Sequence, residues 1–238
     1  MGDGRDIRAA NPWVIGLRAA RDNLIPGLVL QALAFALLAA YMLLPPVHDA
    51  LTEVGRWQAR FGVPFSLASY LFFCGVVPYL FCLALPALRP ADRGRALAFA
   101  LGFWGLMGLL IPQFYRLQGV LYGDGTGVRT LVCKILTDQF VFSAFLTVPL
   151  VSLAHFWKDC GYRWAAVAPH MGRGWYARLV LPNLVMNWTV WIPSLCVIYS
   201  LPTVLQAHVG GLIGGFWALM CLQIAAHTPK TARLTGSA

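Results

Sequence analysis

Six apolar runs occupy most of the 238 residues, and each is about long enough, at roughly 1.5 Å of rise per helical residue, to cross a hydrocarbon layer about 30 Å thick. They are Leu24 to Leu44, Phe65 to Leu85, Ala96 to Phe114, Thr130 to His155, Leu179 to Tyr199 and Val204 to Ala226. Polar or Pro/Gly-containing stretches separate them. The pattern predicts an all-α, polytopic transmembrane helix bundle of about six helices. Residues 1–23 precede the bundle, 24–228 form it, and 229–238 follow as a tail.

Composition agrees with a membrane protein. The chain is 59% hydrophobic and 11% charged, with a mean hydropathy of +0.67, whereas a soluble domain carries about 25% charged residues. The net charge of +9 does not point to nucleic acid, because its Lys and Arg residues are spread over short connectors instead of forming one stripe. Topology explains them. With both termini cytoplasmic, that side holds Arg5, Arg8, Arg18, Arg21, Arg89, Arg93, Arg95, Lys158, Arg163, Arg173, Arg178, Lys230 and Arg233, leaving Arg56, Arg60, Arg116, Arg129 and Lys134 opposite. That 13 to 5 division follows the positive-inside rule.

Arg5 to Asp22 has no apolar core of a cleavable signal, and Asp3, Asp6 and Asp22 do not suit an acid-poor presequence. The first apolar run is expected to serve as its own insertion signal. Cys74, Cys82, Cys133, Cys196 and Cys221 lie in apolar runs and Cys160 in a connector, with no CxxC pair, so they read as small apolar fillers. Tyr122 to Gly127 reads as a turn-rich loop, lacking the strand, helix and lysine of a phosphate loop.

Prolines and glycines punctuate the spans. Pro26 and Pro182 are expected in first turns, where a missing N–H is harmless, and Pro78, Pro149 and Pro193 inside helices, where they should kink. Gly210, Gly211, Gly214 and Gly215 form small-xxx-small pairs, and Gly102, Gly105 and Gly108 line another helix. Both faces permit close backbone approach, either within one bundle or at the seam of a homo-oligomer.

Only one acidic residue, Asp138, falls inside an apolar run, with Lys134 one turn before it and Gln139 after it. From Phe140 to Ala154 there are 15 uncharged residues, about 22 Å of helix, which is too short to span the core alone. Crossing therefore draws Asp138 into the hydrocarbon layer, where a charge costs about 2.5–3.5 kcal/mol and needs protein or water beside it. Lys134 is the first candidate partner.

A second polar stripe lies in the fifth run, where Asn183, Asn187, Trp191 and Ser194 share one helical face. Runs four and five should be antiparallel, which puts Asp138 and Trp191 at about the same depth and Asn187 roughly one turn further inward. Asp138, Gln139, Asn187, Thr189 and Ser194, with Trp188 and Trp191 as walls, can then line a narrow polar path, with Asn183 on the same stripe and Arg116 near its outer mouth. Alternatively the same groups are interhelical glue, each hydrogen bond contributing about 0.6 kcal/mol.

His48, His155, His170, His208 and His227 lack metal or haem spacing, so no cofactor and no metal are expected. No nucleophile elbow or HExxH pair is present. An intramembrane enzyme would have only Asp138, His155 and Arg116 as a reactive cluster, and the chain is expected to be no enzyme. The sequon at Asn187-Trp188-Thr189 is voided by membrane burial.

Several motifs from Phe114 to Gln223 are similar to those of a family of small peroxisomal and mitochondrial inner-membrane proteins. That family is named for peroxisomal membrane protein 2 and the mitochondrial DNA depletion protein. Phe114-Tyr115-Arg116-Leu117 resembles its WY-x-x-L, Lys134 to Asp138-Gln139 resembles K-x-x-x-DQ, and Asn187 to Pro193 resembles NW-x-VWP with Ile192 interposed. Leu201-Pro202 and Trp217 fall near its VP and final Trp. The resemblance implies a channel or transporter for small solutes, in a bacterial inner membrane or, in a eukaryote, an organelle membrane. The alternative is a non-catalytic assembly or lipid-organising subunit, partnered by membrane lipid.

Overall fold

A computed structural model describes residues 11–227, and among these the ordered elements are helical, without strands. Six helices have the length and apolarity to cross a membrane: α2 (Leu24–Leu43), α4 (Val63–Ala84), α5 (Arg93–Tyr122), α6 (Val128–Asp159), α7 (Tyr176–Tyr199) and α8 (Thr203–His227). Two amphipathic helices precede and interrupt this series, α1 (Pro12–Asp22) and α3 (Pro45–Phe61). Large apolar side chains point outward from the spans; Val120 is 83% exposed and Phe145 76%. Such surface is stable against lipid and not against water. The protein is membrane-integral. Arg5, Arg8, Lys230, Arg233 and the side chains of Cys221 and His227 lie outside the described residues.

Helix ends follow local chemistry more than hydropathy. Asp92 caps α5 by accepting the Arg95 backbone N–H at 2.9 Å and pairs with the Arg95 guanidinium at 3.1 Å. The helix then runs beyond Phe114, where the apolar run stops, until Gly123 ends it at a φ of 77°. α1 is capped by the Asn11 side chain, which accepts from Trp13 N–H, with Pro12 in the first turn. α3 likewise opens on Pro45-Pro46 and stops at Gly62, with a φ of 58°.

Three spans contain a stretch of π-helix, and each stretch is followed by one residue and then a proline. Leu71–Val76 precedes Val77-Pro78, Asp138–Thr147 precedes Val148-Pro149, and Tyr176–Val180 precedes Leu181-Pro182. A proline ring clashes with the carbonyl four residues back and offers no N–H. Widening the helix to i→i+5 bonding moves that carbonyl aside, as the bonds from Val77 N–H to Phe72 O and from Val148 N–H to Ser143 O show. The expected disturbance at Pro78 and Pro149 thus takes the form of π turns. Pro182 corrects the sequence reading: the span starts at Tyr176, so this proline is interior, while Pro26 does fall in the first turn of its helix. Pro193 and Pro112 sit within plain α-helix.

In π register the donor missing at Pro149 would have met Ala144 O. The Tyr176 hydroxyl donates to that oxygen instead, at 2.7 Å. Tyr176→Phe should therefore leave a carbonyl unpaired and lower stability by about 1–2 kcal/mol in mixed-micelle unfolding, where an unchanged midpoint would contradict the assignment.

The chain divides into two compact units. Among the described residues one comprises 11–27 and 136–192; its core packs Ala144 and Val148 of α6 on Val180 and Leu184 of α7, with Trp175, Tyr176 and Trp188 around them. Gly16 of α1 lets this helix approach α7, since a Cβ there would lie 2.7 Å from the Val185 Cβ. The other unit comprises residues 28–135 and 193–227, and glycines seat its helices. A Cβ at Gly108 would stand 2.8 Å from Tyr70 Cβ, at Gly210 3.3 Å from the Tyr115 hydroxyl, and at Gly211 3.6 Å from the Tyr70 ring. A Cβ at Gly215 would lie 2.5 Å from Phe73 O, the carbonyl whose π-register donor Pro78 lacks. Gly214 is half-buried on the same helix.

Candidate functional site

Asp138 opens the π stretch of α6 and is 4% exposed. Its Oδ1 accepts from Gln139 Nε2 at 2.8 Å and from Ser143 Oγ at 3.3 Å. Gln139 Nε2 also approaches Ser143 Oγ at 3.3 Å. The five-residue step from Asp138 to Ser143, which would point them apart on an α-helix at about 100° per residue, is brought onto one face by the wider π turn. One oxygen of a carboxyl group inside an apolar span thereby meets two donors from its own helix.

Gln139 carries the network to α7. Its Oε1 accepts from Asn187 Nδ2 at 2.9 Å, and its backbone carbonyl accepts the Trp188 indole N–H at 3.1 Å. Further along, Asn183 Nδ2 donates to Ser152 Oγ at 2.9 Å. These pairings make the two helices antiparallel. They also set the register: counting from the helix ends put Asn187 about a turn deeper than Asp138, yet it bonds Gln139 directly. The Trp188 ring leans on Phe140 at 5.0 Å and on Trp13 of α1 at 6.3 Å between centroids. Trp191 is half-buried.

Three residues of the expected path belong to the second unit. Ser194 is fully buried and exchanges hydrogen bonds with Gln31, from Gln31 Nε2 at 3.1 Å and to Gln31 Oε1 at 3.2 Å. Lys134 is 1% exposed, its ammonium 5.7 Å from the centroid of the Tyr199 ring, and its carbonyl accepts from Gln118 Nε2 at 2.9 Å. Arg116 is exposed near the end of α5 and reaches Gln113 Oε1 at 3.5 Å. The sequence reading had no place for Ser143, Ser152 or Tyr176; a serine at i+5 becomes a neighbour of Asp138 only once the proline-linked π turn is known.

A second polar cluster, also absent from the sequence reading, lies in the second unit. Gln58 Oε1 accepts from Ser66 Oγ at 2.9 Å and meets His208 Nε2 at 2.8 Å, while His208 Nδ1 meets Ser69 Oγ at 2.8 Å. An amide oxygen cannot donate, so the His208 proton lies on Nε2. Among the described residues, no three His, Cys, Asp or Glu side chains gather as metal ligands would.

Chemically, the first cluster offers a buried carboxyl group, one oxygen of which accepts from two donors, joined to neutral amide and indole groups of a facing helix. Comparison with family models, with curated proteins and with solved structures finds no match for this chain.

Proposed function

We propose that this membrane protein is a channel or transporter that passes small solutes along the polar groups of α6 and α7. The observation that carries the reading is the Asp138 carboxylate, held inside an apolar span by Gln139 and Ser143 and linked through Gln139 to Asn187. Intramembrane ionisable groups are costly and tend to mark solute or ion routes. The resemblance of residues 114–223 to the peroxisomal and mitochondrial channel-type family supports the same role. Placement in a bacterial inner membrane with both termini cytoplasmic accords with the distribution of Lys and Arg. No catalytic function is proposed.

A non-catalytic assembly subunit would need a free helix-packing face. Of the glycines that suggested one, Gly210, Gly211, Gly214 and Gly215, three have a neighbour against them within their own unit, Tyr115 at Gly210, Tyr70 at Gly211 and Phe73 at Gly215, which favours the solute-passing role. Osmotic swelling of phosphatidylcholine vesicles tests it. Vesicles containing the folded protein should admit urea or glycerol faster than protein-free ones; equal rates would rule the reading out.

A further inference from the structure

A cavity of about 230 Å³ opens in the second unit where α3, α4, α5 and α8 meet, and we propose that it binds a small organic acid: an oxyanion head on an apolar body. This site is separate from the Asp138 cluster and does not depend on the solute-passing role. Two side chains with hydrogen-bond donors are among its lining residues. Arg116 lines the cavity and, among the described residues, spends its guanidinium only on the long contact to Gln113. Gln58 lines it too and is 7% exposed.

In the structure the Gln58 amide oxygen faces Ser66 and His208 and its nitrogen faces away from them. With Oε1 occupied by Ser66 Oγ and His208 Nε2, the Nε2 protons have no protein acceptor among the described residues, in a residue that borders the cavity. This nitrogen is not sealed from solvent, so its protons are free to meet an acceptor that enters the cavity. Arg116 on the same lining makes the favoured acceptor negatively charged, and a carboxylate matches a guanidinium fork. Ser66 Oγ is already committed to Gln58 and the Thr203 hydroxyl to the Asp124 carboxylate, so Gln58 and Arg116 are left as the donors for the head group.

The other walls are apolar: Pro112, the Tyr115 ring, Val204 and Ala207. An apolar cavity of about 150 Å³ is enough to hold benzene, so this one admits a ring together with its carboxylate. Ala59 and Gly62, at the α3–α4 turn, complete the lining. The opening lies at the ends of the spans, where a water-soluble acid arrives.

Benzoate and its neutral isostere benzamide are the probes, added at matched ionic strength to the full chain in phosphatidylcholine nanodiscs while thermal unfolding is followed. Benzoate should raise the melting temperature saturably, as a ligand specific to the folded state does, and benzamide should not. Arg116→Gln, at an exposed position, should fold normally and weaken the benzoate effect about tenfold or more, and Gln58→Glu should abolish it by aiming a carboxylate at the site. Equal shifts from benzamide, no shift from either probe, or an undiminished benzoate shift in Arg116→Gln would overturn the proposal. A shift produced only by phosphatidylglycerol in the disc would also overturn it, by assigning Arg116 to lipid.

Discussion

Gln139→Leu should destabilise the protein by about 3 kcal/mol, because one substitution strips a donor from a buried carboxylate and orphans a facing amide. The glutamine donates to Asp138 Oδ1 at 2.8 Å and accepts from Asn187 at 2.9 Å, so its loss reaches both helices. Asn187→Leu breaks a neutral bond and should cost about 0.6–1.7 kcal/mol, the usual range between membrane helices. The contrast between the two variants is the informative quantity in mixed-micelle unfolding. Similar small losses for both would mean that Asp138 draws its support from elsewhere.

Gly215→Leu should cost at least about 3 kcal/mol, or prevent folding, at the overpacking extreme for substitutions in a filled core. Even the first added carbon would lie 2.5 Å from a backbone oxygen, Phe73 O, and backbone cannot rotate away as a side chain can. Gly102→Leu provides the comparison, since nothing stands within 4 Å of its added Cβ. The fraction of folded, monodisperse protein recovered in mild detergent separates the two; equal recovery would show that α8 does not rest on α4 as described.

How much of this was legible in the sequence depends on the length scale of the signal. The spans were, because a run of some twenty apolar residues has few other uses, and their count and positions agree with the structure to within a few residues except at the far end of α5. There the hydropathy signal fades at Tyr115-Arg116 although the helix continues through Gly119 and stops only at Gly123. The amphipathic α1 and α3 were passed over as connectors. Their signal is periodicity in a polar stretch, with Asn11-Pro12 and Pro45-Pro46 as start marks and Gly62 as a stop, and hydropathy averaging hides it.

At the candidate site, Asp138, Gln139, Asn183, Asn187 and Trp188 were visible as polar groups in apolar spans, and the structure brings Gln139 together with Asn187 and Trp188. What the α-helical template could not supply was the π register. It rotates Ser143 beneath Asp138 and turns Tyr176 into the donor that Pro149 lacks. A proline inside an apolar run was the available sign, although a kink and a π turn leave the same mark in sequence. Arg116, Lys134 and Ser194 were grouped with Asp138 by counting along helices, whereas their partners here are Gln113, Tyr199 and Gln31.

The claim on which the functional account rests is that the Asp138 charge stands on the route a solute takes. Planar bilayers containing the purified protein under a potassium chloride gradient measure this through the reversal potential. The account predicts a cation preference that Asp138→Asn removes, since the amide keeps the shape and the bonding capacity but not the charge. A conductance whose reversal potential is the same in both proteins, or folded protein that conducts nothing, would contradict it.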